Sequence, residues 1–237
     1  MNAFVKNIPN SITCLNIAAG VMAILCAAHG SASIYGLEAY YWAYICIGIA
    51  AAADFLDGFA ARMLRAYSDV GKELDSICDV VSFGIAPAIV MFFCIDEMGM
   101  QHWTRWFILA IPVCGALRLA RFNVDERQTS SFIGLPIPAN AIFWIGYSAL
   151  CYSGVEFMAE WYCLVPVLLF VSWLMLSPLP LFSLKFKTWG WHGNQWRWLL
   201  IVTAVALVAI MGVPGLMWLI VAYVLYGVFD RPMSEGK

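Results

Sequence analysis

The sequence of 237 residues contains little charge, since Lys, Arg, Asp and Glu together make up only 12% of it. A soluble domain usually carries roughly 25%. Apolar residues make up 63%, and the formal net charge is −2. A soluble fold of this size could not cover its surface with so few charges, and no basic field is present to attract nucleic acid. The composition therefore excludes a soluble enzyme, a disordered chain and a nucleic-acid-binding protein.

Motifs for disulfides or zinc are also missing. The chain has 8 cysteines, but none of them form a Cys-x-x-Cys pair, and nearly all lie inside apolar runs. Cys26 and His29 are three residues apart, yet no second such pair exists to complete a metal site. We therefore interpret the cysteines as small buried apolar residues.

Long apolar runs dominate the chain instead. A helix needs roughly 20 apolar residues to cross the hydrocarbon core of a bilayer. The candidate spans are 12–28, 37–55, 76–95, 103–121, 136–154, 161–178, 196–211 and 214–230. The last two are short and are predicted to form a hairpin. The sequence thus predicts an all-α polytopic membrane protein with about eight transmembrane helices.

The basic residues test this count of spans. If both termini are cytoplasmic, 12 of the 13 Lys and Arg residues fall on the cytoplasmic side, and only Arg105 falls outside. Removing one span inverts every later segment and destroys this asymmetry. We therefore expect an integral protein of the cell membrane, with residues 1–11 lying along the lipid headgroups. A signal peptide cleaved near Ala27 and Ala28 is the alternative interpretation of the first segment.

The scarce charge is concentrated in one place. Nine charged residues lie within the 26 positions from Asp54 to Asp79. On a helix Asp54 and Asp57 are i,i+3 neighbours, so their carboxylates point at one patch. Asp75 and Asp79 are i,i+4 neighbours with the same consequence. Both pairs lie at the cytoplasmic ends of consecutive spans, so we expect the helices to bring the four carboxylates together, with the site facing the cytoplasm.

Four carboxylates near hydrocarbon stay ionised only if a cation holds them. A hard divalent ion with oxygen ligands, Mg²⁺ or Mn²⁺, fits this ligand set, and we expect two ions. The stretch has no His and only one Cys, Cys78, which argues against zinc. Gly58 and Ala61 are small and would let a ligand approach the helix backbone. Arg62 can form a bidentate pair with a phosphate.

The spacing of these residues resembles a known pattern. The CDP-alcohol phosphotransferase family carries D-x2-D-G-x2-A-R-x8-G-x3-D-x3-D. This chain meets every position and every spacing of that pattern, with Asp54, Asp57, Gly58, Ala61, Arg62, Gly71, Asp75 and Asp79. The run from Pro9 to Thr13 is similar to the family's Pro-Asn-x-x-Thr element. Runs that begin at Ser82, Leu117 and Gly134 resemble the phosphatidylserine synthases within the family.

This resemblance covers about residues 5–150 and implies a fold and a reaction. The fold is one membrane catalytic domain, with a six-helix core over 12–178 and an additional hairpin over 196–230. The reaction is attack by the L-serine hydroxyl on CDP-diacylglycerol, which releases CMP. The resemblance implies that the four aspartates bind metal and that Asp79 is also the general base. Contacts to CDP-diacylglycerol are implied for Asn10, Thr13, Asp54, Asp57, Gly58, Ala61, Arg62, Gly71 and Asp75, and a homodimer is implied as well.

The acceptor site is predicted on neighbouring segments. Ser82 follows Asp79 by about one helical turn. Arg118 and Arg121 are i,i+3 neighbours on one predicted helix, and Asn123 lies just beyond them. An arginine pair could bind the serine carboxylate or a substrate phosphate, and ordinary positive-inside anchoring is the alternative.

Two other functions stay open at this stage. The same chemistry could use glycerol phosphate or inositol phosphate as the acceptor, and these phosphates predict a denser basic pocket than two arginines. An ion or proton transporter could use the aspartates as its pathway, and such a protein predicts carboxylates near the middle of the membrane. The gathering of the aspartates at one edge favours the transferase.

Overall fold

The computed structural model describes residues 3–66, 68–99, 103–124, 132–182, 190 and 194–229. Within these ranges the chain is mostly helical. The α-helices are α1 (Ala3–Ala27), α2 (Ala39–Leu64), α3 (Asp69–Asp79), α4 (Ala86–Glu97), α5 (Ala110–Val124), α6 (Ile137–Tyr152), α7 (Trp161–Leu176), α8 (Gln195–Met211) and α9 (Gly215–Phe229). A π-helical stretch, Val80–Ile85, joins α3 to α4 without a break. A 3₁₀-helix, Thr104–Leu109, leads into α5, and another, Glu156–Met158, precedes α7.

Two short antiparallel strand pairs connect parts of this helical framework. Strand β1 (Ser33–Ile34) pairs with β2 (Leu37–Glu38) in the turn between α1 and α2. Strand β3 (Phe132–Ile133) pairs with β4 (Pro180–Leu181). The second pair holds the segment before α6 against the segment that follows α7.

The helices agree with an integral membrane protein. Four helical stretches are long and apolar enough to cross a bilayer by length and composition, namely Asn7–Ala27, Ala39–Leu64, Asp69–Glu97 and Thr104–Val124. Helices α7, α8 and α9 are apolar but shorter. The predicted all-α membrane class is therefore confirmed, and the later predicted spans match described helices to within a few residues. The number of spans and the cytoplasmic placement of the termini stay predictions.

The second and third helices extend beyond their predicted spans. Helix α2 continues past 55 to Leu64 and ends at Arg65, whose φ of 50° is left-handed and whose N–H bonds to the carbonyls of Ala61 and Arg62. Helix α3 begins before 76, because the Ser68 hydroxyl caps it by accepting the N–H of Gly71 at 3.0 Å. The polar ends of both helices are thus ordered by caps rather than by apolar burial.

Small residues let α1 pack closely on its neighbours. Ala23 of α1 and Ala43 and Ala50 of α2 are fully buried between these helices and the core. Gly20 touches the π-helical stretch, since a Cβ built there would lie 2.8 Å from the Ser82 Cα. Close approach through small residues is the usual way that helices pack inside a membrane. This close packing places α1 beside the two helices that carry the predicted aspartates, α2 with Asp54 and Asp57 and α3 with Asp75 and Asp79.

The C-terminal hairpin of α8 and α9 packs on this core. A Cβ on Gly146 would lie 2.2 Å from the backbone nitrogen of Met217, so α6 and α9 are in backbone contact there. Met217, Ile220 and Tyr223 of α9 are buried in the same apolar cluster as Trp144 of α6. Helix α9 is therefore an integral part of the packed structure.

Candidate active site

Three of the four predicted aspartates come together where α2 and α3 meet α1. Asp54, Asp57 and Asp75 each place a carboxylate oxygen within 4.8 Å of the other two. Asp57 is only 6% exposed, and the other two are partly buried. The i,i+3 spacing on α2 and the early start of α3 produce this arrangement, which we call the acidic cluster.

The acidic cluster has the properties of a site for a hard cation. The Asp57 Oδ2 and Asp75 Oδ1 atoms are buried and have no hydrogen-bond partner in the described part of the chain. Within the same ranges, no Lys or Arg forms a salt bridge with any of the three residues. Close carboxylates repel one another, and buried acceptors without a donor cost free energy. Three oxygen donors in this state fit a divalent ion, so these residues form a candidate metal site.

Asp79 lies outside this group of three. It is 8% exposed, and its Oδ1 accepts a hydrogen bond from the Asn16 side-chain amide at 3.3 Å. It is the last residue of α3, and the π-helical stretch begins at the next residue. Pro87 gives a physical reason for the wider turn, because its ring would clash with the carbonyl of Phe83 in a regular helix. The role of Asp79 as a metal ligand stays a prediction.

A cleft of about 220 Å³ opens beside the acidic cluster between α1, α2 and α3. Eight of the nine residues predicted to contact CDP-diacylglycerol line it, namely Asn10, Thr13, Asp57, Gly58, Ala61, Arg62, Gly71 and Asp75. Asp54 is the ninth and does not line the cleft. Lys72 and Ser68 also contribute to its wall. The structure therefore brings the amino-terminal element and both halves of the motif to one cavity.

Two glycines shape this cleft in different ways. A Cβ on Gly58 would meet only the Arg62 Nη1 atom, at 3.7 Å, so the backbone of α2 is bare and accessible there. A Cβ on Gly71 would lie 2.9 Å from both the Asn10 Oδ1 and the Ser68 Oγ, so α3 approaches α1 closely. The Thr13 hydroxyl, also in the wall of the cleft, donates to the Pro9 carbonyl at 3.0 Å.

The residues predicted for the acceptor have different surroundings. The buried Ser82 hydroxyl donates to the Asn16 carbonyl at 3.0 Å, so it links the π-helical stretch to α1. The Asn123 side-chain amide donates to the Ser76 hydroxyl at 2.8 Å, and the Asn123 backbone carbonyl accepts a hydrogen bond from the Lys72 ammonium at 3.1 Å. The polar groups of Ser82 and Asn123 are therefore used in hydrogen bonds that hold neighbouring helices together.

Arg118 and Arg121 do not share one environment as the spacing predicts. Arg118 is 7% exposed, whereas Arg121 is exposed. Residues three apart differ by about 60° around a helix, and the edge of the buried face of α5 falls between them. Arg118 interacts electrostatically with Asp79, and its Nε is buried without a partner among the described residues. Of these two arginines, Arg118 alone faces the interior of the protein near the aspartates.

Asn16 was grouped with the amino-terminal element on the basis of the sequence, but it was given no role in the site. It is fully buried and contacts both Asp79 and Ser82. Its Oδ1 is buried without a hydrogen-bond partner in the described ranges. The available signal was a polar amide inside the apolar span 12–28, because polar residues inside a membrane are functional by default.

The comparisons with known proteins agree with this geometry. A family model described as CDP-alcohol phosphatidyltransferase matches residues 6–177. The chain is similar to three proteins named CDP-diacylglycerol–serine O-phosphatidyltransferase. Identity to the Mycobacterium leprae protein is 40% over 164 residues, which is 65% of this chain and 50% of that protein.

The other two of these relatives come from Bacillus subtilis and Methanocaldococcus jannaschii. Identity to the Bacillus subtilis protein is 34% over 147 residues, or 60% of this chain and 72% of that protein. Identity to the Methanocaldococcus jannaschii protein is 38% over 146 residues, or 62% of each. The match thus spans about half of the Mycobacterium leprae relative and somewhat more of these two.

Proposed function

Because the chain belongs to the CDP-alcohol phosphatidyltransferase family, we propose that it transfers the phosphatidyl group of CDP-diacylglycerol to the hydroxyl of L-serine, giving phosphatidylserine and CMP. The observation that carries the proposal is the single cleft lined by Asn10, Thr13 and both halves of the motif, with the acidic cluster at its wall. The names of the three relatives support serine as the acceptor.

In this proposal the cleft holds the cytidine diphosphate part of the lipid. The bare backbone at Gly58 lets a flat or phosphorylated group approach α2, and the Arg62 guanidinium pairs with phosphate. Gly71 and Ala61 keep the remaining wall free of bulk. The two acyl chains stay in the bilayer, which the protein spans.

The acidic cluster would hold the cation that this chemistry needs. We assign Asp54, Asp57 and Asp75 as its ligands, with Asp79 close by, and we propose two ions, Mg²⁺ or Mn²⁺. A bound divalent ion would supply positive charge against the diphosphate, so that a nucleophile can approach. Oxygen ligands alone favour these hard cations over zinc.

Asp79 would act as the general base. It takes the proton from the serine hydroxyl while the serine oxygen forms a bond to the phosphorus that bears diacylglycerol. The bond from that phosphorus to the oxygen of CMP then breaks, and CMP leaves. Proton transfer to a positioned carboxylate contributes about 10²–10⁴-fold in rate. The Asn16 amide holds the Asp79 carboxylate in place.

Arg118 would bind the carboxylate of serine. It is a buried cation near Asp79, and no described Asp or Glu forms a salt bridge with it. An acceptor that carries a phosphate would need more positive charge, and Arg121 is exposed on the surface of the monomer. A single buried arginine therefore favours serine over glycerol phosphate or inositol phosphate.

We further propose the following organisation in the cell membrane. The chain forms one catalytic domain with eight spans and both termini in the cytoplasm, so the cleft faces the cytoplasm. Residues 1–11 lie at the interface, 12–178 form the catalytic core, and 196–230 form the additional hairpin. The family match, which ends at residue 177, supports this division. Resemblance to the family is also the basis for a homodimer.

The test is CMP release by the purified protein in detergent. The protein receives CDP-diacylglycerol and Mg²⁺ or Mn²⁺, with L-serine, glycerol phosphate or inositol phosphate in separate reactions. We expect CMP release and phosphatidylserine only with L-serine and only with a divalent ion. Release that does not depend on serine, or activity only with a phosphate-bearing acceptor, would contradict the proposal.

A further inference from the structure

Two cationic side chains are among the residues that line the cleft, and they come from different helices. Arg62 belongs to α2, and its Nη1 atom would lie 3.7 Å from a Cβ on Gly58, so the guanidinium lies close to the bare backbone of that helix. Lys72 belongs to the N-terminal part of α3. Both side chains are exposed, and within the described ranges neither forms a salt bridge with Asp or Glu. The cleft therefore has positive charge available from two of its walls.

The Lys72 ammonium group is held beside the cleft by a weak contact. It donates a hydrogen bond to the Asn123 backbone carbonyl at 3.1 Å, in the last turn of α5, where the carbonyls have no partner within the helix. An ammonium group has three N–H donors, and this contact uses one of them. Because the contact is exposed to solvent, its net contribution to stability is small and the ammonium can exchange it for another acceptor.

Asn123 is in turn fixed to α3. Its side-chain amide donates to the Ser76 hydroxyl at 2.8 Å, and the same hydroxyl donates to the Lys72 carbonyl at 3.2 Å. Lys72 and Ser76 are i,i+4 neighbours, so Asn123 contacts two successive turns on one face of α3. The end of α5 is thereby held against the segment of α3 that borders the cleft, and the lysine is kept there with it.

The side chains that share the cleft with Lys72 indicate which anion it meets. Asp57 and Asp75 also line the cleft, and both belong to the acidic cluster that we assign to the divalent ion. The two cationic side chains are then left for the anionic part of the substrate, which is its diphosphate. Ammonium groups form stronger hydrogen bonds with phosphate oxygens than with a neutral carbonyl. A phosphate in the cleft would therefore be a better acceptor for Lys72 than Asn123 is.

We propose that Lys72 is a phosphate-binding residue, whose ammonium leaves the Asn123 carbonyl to pair with the diphosphate of CDP-diacylglycerol. This inference rests on the proposed function. It adds a contact that the family pattern does not contain, since position 72 is one of the variable positions between Gly71 and Asp75. Together with Arg62, this lysine holds the diphosphate between α2 and α3, the helices that carry the acidic cluster.

The experiment measures the binding of CDP-diacylglycerol to the full-length protein in detergent, with Mg²⁺ and without serine. We expect Lys72→Gln to raise the Kd by roughly tenfold, because a hydrogen bond between charged groups is lost. The Kd of this variant should also depend less steeply on salt concentration. Lys72→Arg, which keeps the charge, should have a Kd close to wild type. In turnover, the KM for L-serine should stay close to wild type in both variants.

Two control variants separate a phosphate contact from other effects. Arg65→Gln removes an exposed cation that ends α2 and does not line the cleft, and it should leave the Kd unchanged. Ser76→Ala removes the side-chain link between α3 and Asn123 without changing the charge, and it should also bind like wild type.

The possible results lead to different conclusions. An unchanged Kd in Lys72→Gln would overturn this inference while leaving the proposed function intact. An equal rise in Kd in Ser76→Ala would also overturn it, because Lys72 would then act only by holding the end of α5. An equal rise in Arg65→Gln would reduce the effect to general surface charge, with the same consequence. A wild-type protein that releases no CMP with serine would instead overturn the proposed function.

Discussion

The Asn16 amide donates a hydrogen bond of 3.3 Å to the Asp79 carboxylate, which lies 63 residues later in the sequence. Both side chains are buried. The same asparagine accepts a hydrogen bond from the Ser82 hydroxyl through its backbone carbonyl, so α1 is joined to the chain just before the π-helical stretch and within it. This relationship gives α1 a direct part in placing the predicted general base.

Replacing Asn16 should therefore affect turnover more than substrate binding. We expect Asn16→Leu, which keeps the branching at Cγ but cannot donate a hydrogen bond, to lower kcat by roughly tenfold or more, because an orienting hydrogen bond to a charged group is lost. The KM for CDP-diacylglycerol should change little. Ser11→Ala is the control, since among the described residues that exposed hydroxyl forms a hydrogen bond only with the Asn7 carbonyl of the same helix. An Asn16→Leu protein with normal kcat would show that the contact has no catalytic role.

The acidic cluster should bind a divalent ion, and without that ion its like charges should destabilise the folded protein. Asp57→Asn removes one of three carboxylates within 4.8 Å of one another, so it relieves like-charge repulsion. We expect the variant to melt at the same or a higher temperature than wild type in EDTA. It should lose the stabilisation by Mg²⁺ or Mn²⁺, which for wild type reaches about 2.7 kcal/mol at a hundred times the Kd.

The control for that measurement is Asp69→Asn. Asp69 is exposed in the first turn of α3 and is not part of the acidic cluster. Its variant should keep the full ion-dependent shift in melting temperature. Equal ion-dependent shifts in wild type and Asp57→Asn would mean that the ion binds elsewhere.

The bare backbone at Gly58 should matter to the ligand and not to the fold. In Gly58→Ala the new methyl group meets only Arg62 Nη1, at 3.7 Å, and alanine favours a helix by up to about 1 kcal/mol. We expect an unchanged or higher melting temperature and a rise of roughly tenfold in the KM for CDP-diacylglycerol, because the methyl group projects into the cleft. Gly48→Ala, on the same helix with no atom within 4 Å of the Cβ, should have a similar effect on the melting temperature and leave the KM unchanged. Unaltered binding in Gly58→Ala would place the nucleotide elsewhere.

The sequence was sufficient to predict the apolar helices, and the family resemblance predicted eight of the residues that line the cleft. The length of an apolar run predicts where a helix crosses the membrane. The i,i+3 spacing of Asp54 and Asp57 places both carboxylates on one face of α2, whatever the length of the turn that leads to α3. The polar extensions of α2 and α3 were not predicted, because the span criterion counts apolar residues, whereas the caps at Arg65 and Ser68 set these ends.

Contacts between distant segments were beyond reach for a different reason. The pairing of Asn16 with Asp79 depends on how α1 packs against α3, and no local pattern encodes that packing. The different exposure of Arg118 and Arg121 has the same origin, since spacing gives their angle on α5 but not the edge of the buried face. Such features required the three-dimensional arrangement.

The direction of the chain in the membrane can be tested at exposed polar sites near helix ends. Ser33 in β1 and Ser153 after α6 are exposed, and the proposed topology places both outside the cell. Asp69, also exposed, is placed in the cytoplasm together with the cleft. We expect a thiol reagent that cannot cross membranes to label Ser33→Cys and Ser153→Cys in intact cells, and Asp69→Cys only after the membrane is opened.

The wild-type protein gives the background from its eight native cysteines, and CMP release by each variant shows that it is folded. Labelling of Ser33→Cys and Asp69→Cys from the same side would contradict the passage of α2 through the bilayer. Labelling of Ser153→Cys only from the inside would remove one span from the count before α6. In that case Lys and Arg residues of the later segments would face outward, against the asymmetry that basic residues impose on membrane proteins. The labelling pattern therefore tests the eight-span topology and the cytoplasmic position of the acidic cluster together.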